Sequence, residues 1–449
     1  MELNAISRVY FVGIGGIGMS ALARYFVKRG TLVYGYDKTR TNLTIALENE
    51  GIVINYLDDV AALPGDFQES HEDTLIIYTP AIPKNSAILN YFKGNGFVFK
   101  KRSEVLGIIS RGQFCVAVAG THGKTTTSSI IAHLLTDSGY GCTAFLGGIA
   151  TNYNSNFLIG DNNVVVVEAD EYDRSFLTLN PDISVITSMD ADHLDIYGDA
   201  AQLHESFHLF AGQLKSGGTL FVKKDLPIDG IAYGLNEAAI NGRNIRVVDA
   251  NFMFDFQSEE FEIKDLCLML PGKHNVENAV AAIAVALKLG IAPEEIKKAV
   301  ASFKGVKRRF EHILKTPRHI YIDDYAHHPE ELRACFDAVR QLYPDKKLTV
   351  LFQPHLFTRT RDFVEDFAEV LSTADDLVLL EIYPARELPL EGITSQWLLD
   401  KITLNSKSLT DKESILEIIK NKQPELLLTV GAGDIDTLIQ PLKQMLDHA

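Results

Sequence analysis

The stretch VAVAGTHGKTTTS, Val116 to Ser128, restricts the possible folds more than any other part of the chain. An apolar run at 115–119 ends at Gly120, and helical spacing begins at about 125 and continues to 138. A strand that turns through glycines directly into a helix leaves unpaired N–H groups at the turn, and these attract anions. Lys124, set between Gly123 and Thr125, adds a positive charge at the same point. The combination reads as a phosphate-binding loop made by Gly120, Thr121, His122, Gly123, Lys124 and Thr125. The backbone would cradle phosphates, Lys124 would reach the β and γ oxygens, and Thr125 would ligate magnesium. The loop departs from GxxxxGK[ST] because Val118 occupies the first glycine position.

The same strand–turn–helix opens the chain. Residues 9–12 are apolar, GIGGIGMS follows, and helical spacing runs over 19–28 until Gly30 stops it. Gly13, Gly15 and Gly18 satisfy GxGxxG, and Asp37 ends the next strand (31–36), where a ribose-binding acid would sit. Alone, this is equally a tight structural turn or the start of a nicotinamide enzyme. Further strands are expected at 74–78, 164–167 and 183–187, with a helix at about 275–289. From about 318 the pattern restarts, with strands at 319–322, 348–352, 377–381 and 426–430 and helices at 329–342 and 361–371. Alternation of this kind implies α/β sheets that are mainly parallel. At 449 residues, the chain is too long for one core, and roughly 150 residues per domain gives about three.

Charge narrows the function. Lys+Arg 43 against Asp+Glu 59 leaves a net charge of −16, which argues against a nucleic-acid or anionic-membrane binder. Any anionic ligand must be held by a few local donors. Cys115, Cys142, Cys267 and Cys335 form no CxxC pair and read as reduced core thiols of a cytoplasmic protein. The first residues show no secretory signal, and no apolar run approaches the roughly 20 residues that span a bilayer.

Acids gather at strand ends. Glu168 closes a four-valine run, VVVVEADEYD, and points to a crevice where magnesium could bind. Asp170, Glu171 and Asp173 beyond it read almost as well as a solvated acidic turn. MDADHLDIYG sets His193 between Asp192 and Asp195, a metal or phosphate candidate. LPGKHNVENAVAA brings Lys273, His274, Asn275 and Asn278 to a helix start, where ordinary capping is the simpler reading. In the last third, Arg359 and Arg361 could grip a carboxylate or phosphate, and His327 and His328 could orient a substrate.

Taken in order, AGTHGKTTT, VEADE, DHLD, GKHNVENAVAA, GVKRRFE and DDYAHHP resemble the Mur ligase family, the ATP-dependent amide-bond-forming enzymes of peptidoglycan precursor synthesis. The resemblance spans nearly the whole chain. GIGGIGMS and HLFTRTRDF are most similar to the members that join L-alanine to UDP-N-acetylmuramate. It implies an α/β protein of three domains. A Rossmann-like domain at 1–106 would bind the UDP-sugar through Gly13, Gly15, Gly16, Gly18 and Asp37. A P-loop ATPase-like domain at 107–314, with a mainly parallel sheet, would bind ATP and Mg2+. A Rossmann-like domain at 315–449 would act as a lid that brings the amino acid. It further implies that the loop from Gly120 through Thr126 holds the ATP phosphates, and that Thr125, Glu168 and His193 hold magnesium. His274, Asn275 and Asn278 would lie near the base, with Arg309 and Asp324 completing the ATP site. Tyr325, His327, Arg359 and Arg361 would meet the alanine and the muramoyl carboxylate. Lys124, Glu168, His193 and His327 would be catalytic, and the enzyme a monomer or homodimer.

Three departures from the family pattern stand out. Phe207 occupies the place of a carbamylated lysine found in several relatives, which suits the alanine-adding members. Ser188 replaces a frequent Asn, implying a weaker or water-filled contact, and Leu356 replaces an Arg. A ligase that attaches an intact tripeptide to the same sugar is the nearest alternative. A nicotinamide dehydrogenase would leave the GTHGKTT loop without a purpose, and a non-catalytic nucleotide sensor would need no magnesium carboxylates.

Overall fold

The computed structural model describes residues 3–69, 71–190, 197, 199–249, 251–385 and 387–448. Its strands form three sheets. The first holds β1 (Arg8–Val12), β2 (Leu32–Tyr36), β3 (Val53–Asn55), β4 (Thr74–Tyr78) and β5 (Val98–Lys101) in the order β3-β2-β1-β4-β5. All its pairings are parallel, a doubly wound arrangement whose switch point lies beside β1, just before the glycine turn.

The second sheet contains β6 (Phe114–Ala119), β7 (Thr143–Ala150), β8 (Ser155–Leu158), β9 (Val164–Glu168), β10 (Ile183–Ile186), β11 (Thr219–Lys223), β12 (Ile231–Leu235), β13 (Ile240–Val248), β14 (Asn251–Gln257) and β15 (Glu262–Leu268). Their order is β15-β14-β13-β12-β11-β10-β6-β9-β7-β8. Strands β6, β9, β10, β11 and β12 run parallel, and β8 turns back on β7. The Val164–Val167 stretch of β9 is wholly buried, as a strand covered on both faces requires.

The third sheet holds β16 (Glu311–Lys315), β17 (Ile320–Asp324), β18 (Leu348–Phe352), β19 (Asp376–Leu379), β20 (Lys407–Leu409) and β21 (Leu426–Val430) in the order β16-β17-β21-β18-β19-β20. Only β16 runs antiparallel, and its partner is β17.

By compactness the chain forms two units, one of 1–243, 255–266 and 277–304, the other of 244–254, 267–276 and 305–449. Within the first unit the two leading sheets share one apolar core. Tyr25, on the helix Ile17–Lys28, packs at 5.6 Å from the Phe145 ring and 6.2 Å from the Phe157 ring. Asn156, fully buried on β8, donates to Ile17 O and Ser20 Oγ and accepts from Arg24. The glycine-turn helix is thereby anchored to the central sheet, which fixes one glycine loop against the other.

Two expectations from the sequence change. The helix expected at 361–371 is two, Phe357–Asp362 and Val364–Leu371. Phe363 breaks it at φ −118°, ψ 24°, and its ring packs on the His328 imidazole at 4.7 Å. The ribbon of strands between 240 and 268 went unread, although Phe252, Phe254 and Phe256 alternate in strict period two and are all buried. Phe207 is fully buried with its ring edge-on to Phe176 at 5.3 Å, so its site is apolar and unsuited to a charged lysine derivative. Among the described residues, no helix is long and apolar enough to cross a membrane.

Candidate functional site: two glycine loops and a cluster of basic side chains

Strand β6 delivers the phosphate loop. Gly120 takes φ +140° and Gly123 φ +82°, where L side chains are strained, and Gly123 caps the helix Lys124–Asp137. Beyond the end of β10, residues 187 and 188 hold the loop in shape. The Thr187 hydroxyl donates to Ala119 O, while Ser188 Oγ accepts from the His122 N–H at 2.7 Å and bonds Thr121 Oγ1 at 2.9 Å. The sequence implied a weak or water-filled contact at Ser188. The structure corrects this, because the hydroxyl bonds the loop directly. Asn278 Oδ1 accepts from Thr127 at 3.1 Å and lies against Gly123, so it braces the same loop.

Lys124 Nζ donates to Gly120 O, to Thr121 O at 3.3 Å and to Glu171 at 2.9 Å. Glu171 is 1% exposed. Burial alone would lower the Lys124 pKa, but Glu171, Glu168 and Asp170 outweigh it and the pKa is raised, so the ammonium stays charged. Asp170 bonds Arg102 at 2.9 Å and Asp173 bonds Lys101 at 3.0 Å. Each acid thus has a cation beside it, Asp170 and Asp173 in part-solvated pairs and Glu171 in a buried one. The sequence reading named Glu171 but not its pairing with Lys124. Its signal was the crowding of four acids into six residues (168–173), which needs cations close by.

Glu168, at the end of β9, accepts from the Gly147 N–H at 3.0 Å, and a Cβ at Gly147 would overlap its carboxylate. A cleft of about 90 Å³ runs from here to the first glycine loop, lined among others by Gly18, Arg102, Gly147, Glu168 and Asp170. At that loop, Gly13 (φ +93°) and Ile14 donate to Tyr36 O, and Gly16 caps the helix Ile17–Lys28. Asp37 accepts from the Gly15 N–H at 2.8 Å and the Thr39 N–H at 3.0 Å. It ties the glycine turn to the following strand, a closer duty than the ribose contact expected for it.

Among the described residues no group of three or more His, Cys, Asp or Glu gathers for a metal. Thr125 is buried at the helix start and Glu168 lines the cleft. His193, the third metal candidate, lies outside the described residues.

The second unit carries its own cluster. Arg308 and Phe310 take φ +62° and +47° in the GVKRRFE turn. Asp324 Oδ2 accepts from the Phe310 N–H and Oδ1 from the Ala326 N–H, both at 2.7 Å, and Tyr325 donates its N–H to Arg308 O at 2.6 Å. Asp324 thus joins two loops. Both guanidiniums lie over the Tyr325 ring, Arg308 at 5.2 Å and Arg309 at 5.1 Å from its centre. His327 Nδ1 meets Tyr325 O at 3.0 Å and Glu331 at 3.2 Å. Both acceptors favour a proton on Nδ1. The His327 ring stands 5.7 Å from His355, which stacks on Tyr383 and accepts from Arg359. His355 and Tyr383 were missed because 28 residues separate them in sequence, and they meet only where β18 and β19 pair.

His328 and Arg361 sit differently from expectation, while His274 and Asn275 keep to the ordinary helix-start reading. His328 is buried as the cap of the helix Pro329–Leu342 and faces Phe363, not a ligand. Asn275 donates to Pro271 O at 2.6 Å, and the His274 ring packs where a Gly272 Cβ would be; both serve the start of their own helix. Arg361 is half-exposed and pairs with Asp362, whereas Arg359 is 6% exposed and bonds His355. Arg359→Ala is expected to raise the KM of the carboxylate-bearing substrate at least tenfold, and Arg361→Ala less than twofold. Steady-state kinetics of both variants check this, and equal effects would contradict the placement.

Leu356 takes φ +71° with its side chain buried, a conformation that costs roughly 1–3 kcal/mol at a non-glycine residue. It caps the Arg359 helix and donates to Tyr383 O at 3.0 Å. The strain is stored where the loop carries Arg359.

Asp323, fully buried beneath this cluster, pairs with Arg308 at 3.0 Å and accepts from Thr429. Burial pushes its pKa up to about 6 against the pull of Arg308. A raised folded-state pKa means stability fully present below about pH 4 and lost as pH rises through 6. Relative to Asp323→Asn, the native protein is expected to lose about 2 kcal/mol between pH 4 and 6.5. Urea unfolding of both across that window measures it, and parallel curves would refute it.

Family models match along the chain: the Mur ligase family catalytic domain over residues 8–114, the Mur ligase middle domain over 118–286 and the Mur ligase glutamate ligase domain over 308–433. The chain is 52% identical over 449 residues to a UDP-N-acetylmuramate–L-alanine ligase of Flavobacterium psychrophilum, covering 100% of both. It is 50% identical to the same ligase of Christiangramia forsetii, covering 100% of this chain and 99% of the relative. Among solved structures, the UDP-N-acetylmuramate-alanine ligase of Thermotoga maritima superposes with a TM-score of 0.84 at 27% identity, covering 98% of this chain and 99% of that one. Three family models in order, full-length relatives and two glycine loops on one core agree: the chain belongs to the Mur ligase family.

Proposed function

We infer that the protein joins L-alanine to the lactyl carboxylate of UDP-N-acetylmuramate with ATP, through an acyl phosphate, releasing ADP and phosphate. One observation carries this reading: one cleft is lined both by Gly18, at the helix start after the first glycine turn, and by Glu168, whose charge acts on Lys124 of the second loop. A UDP-sugar on Gly13, Gly15, Gly16 and Gly18 would extend its acid toward ATP phosphates held by 120–126. The full-length relatives named as alanine ligases support the choice of substrates.

Oxide is a poor leaving group, so a carboxylate must be activated before an amine can displace it. Its oxygen attacks the γ-phosphorus and ADP leaves; the alanine nitrogen then attacks the acyl carbon and expels phosphate. Lys124 and the loop N–H groups stabilise the charge that spreads over the transferring phosphoryl group. Thr125 and Glu168 offer oxygen donors that would hold magnesium, with His193 expected as a third ligand. Magnesium, when bound, neutralises charge on the β- and γ-phosphates. Arg359 pairs with a substrate carboxylate. His327, in the same cluster as Arg359, is the group that takes the proton from the alanine ammonium.

The test is phosphate release with ATP, magnesium and UDP-N-acetylmuramate, adding L-alanine, glycine, L-serine or tripeptide separately. L-Alanine-dependent release with a product heavier by one alanyl residue is expected. Turnover with tripeptide alone would refute the assignment in favour of a recycling ligase.

A further inference from the structure

The cleft between the first glycine loop and Glu168 presents an electrostatic problem. Its lining includes two carboxylates, Glu168 and Asp170. The proposed reaction brings in a third, the acid of the sugar, which must stay ionised to act as the nucleophile. Arg102 is the one basic side chain among the described residues lining the cleft. It begins the helix Arg102–Arg111 directly after β5.

Its placement depends on Gly18. A Cβ there would overlap Nη1 and stand 3.1 Å from both Cδ and Cζ, so the absence of a side chain lets the guanidinium lie in the cleft. Asp170 takes one hydrogen bond, from Nη2 at 2.9 Å. A guanidinium has five N–H donors, and a carboxylate is bound best by two parallel ones. The Arg102 and Asp170 side chains are 21% and 37% exposed, a setting in which an ion pair is worth little and exchanges readily.

We propose that Arg102 binds the lactyl carboxylate of the UDP-sugar and is the residue by which the cleft distinguishes that sugar from the same nucleotide sugar without the acid. Asp170 holds the guanidinium in place and yields it to the substrate. The proposal rests on the function inferred above.

The test titrates UDP-N-acetylmuramate and UDP-N-acetylglucosamine, which lacks the lactyl acid, into the full chain and its Arg102→Gln, Arg102→Lys and Asp170→Asn variants. Arg102→Gln is expected to weaken UDP-N-acetylmuramate about 50-fold while leaving UDP-N-acetylglucosamine and the KM for ATP within about twofold. Arg102→Lys recovers part of the loss, because the charge remains and the fork is gone. Asp170→Asn tightens UDP-N-acetylmuramate a few-fold, because the guanidinium is released. Equal losses for the two nucleotide sugars would overturn the proposal in favour of the shared diphosphate as the ligand. A loss in Asp170→Asn matching that in Arg102→Gln would reduce Arg102 to a tie between sheets. Failure of the unaltered chain to bind either nucleotide sugar would instead overturn the proposed function, so the two failures are distinct.

Discussion

Replacing Lys124 with alanine is expected to lower phosphate release at least about a thousandfold and to lower the melting temperature as well. The first effect follows from where the charge develops. Lys124 is the ammonium of the phosphate loop, and no other side chain in the 120–126 segment carries a permanent positive charge. The second follows from Glu171. That carboxylate is 1% exposed and both its oxygens lie within 2.9 Å of Nζ, so the truncation strips a buried acid of the cation it faces. The cost of such a loss is about 3–5 kcal/mol. The Lys124→Ala, Glu171→Gln double variant separates the two. It is expected to regain much of the melting temperature and none of the activity, read by thermal denaturation and phosphate release. Recovery of activity would show that Lys124 serves only to neutralise Glu171.

Gly120→Ala carries the next largest effect. At φ +140° the new methyl would overlap the Thr187 hydroxyl and stand 2.8 Å from the Ser188 amide nitrogen and 3.1 Å from that of Thr187. Two of these neighbours are backbone, so a rotamer change cannot relieve the clash. The strand end and the loop must part, which breaks the Thr121–Ser188 bonds that shape the cradle. ATP affinity is expected to fall more than a hundredfold, with a loss of several kcal/mol in stability. Calorimetric titration of ATP measures the first. By contrast, Gly139→Ala, at φ +78° with nothing within 4 Å, is strained but unobstructed. It is expected to cost about 1 kcal/mol and leave ATP binding unchanged. Equal effects would mean that backbone strain alone, not the close approach, governs Gly120.

Much of the site is local and therefore legible. Gly120, Gly123 and Lys124 declare their role within a few residues, because a phosphate cradle is built from consecutive backbone groups. The strands 74–78, 348–352 and 426–430 and the helix 329–342 are found where hydrophobic runs and spacing placed them, since their apolar residues are buried. Asp37 and Asp324 illustrate the limit. Its strand end marked Asp37 and the family resemblance marked Asp324 as ligand groups, but each places both carboxylate oxygens on backbone N–H groups of an adjacent loop. An unmet N–H competes with any ligand for a carboxylate, and sequence does not show which N–H groups are unmet.

What the sequence determined by itself is the local chemistry: two strand–glycine–helix loops, a lysine in one of them, acids at strand ends, and the family these motifs resemble. Tertiary structure alone decided the pairings. Glu171 meets Lys124 across 47 residues, Arg102 meets Asp170 across 68, and His327, His355, Arg359 and Tyr383 converge from three loops. The physical reason is range. Backbone conformation and burial periodicity act over a few residues, whereas charge pairing acts through space and depends on strand order, which only packing of the sheets sets.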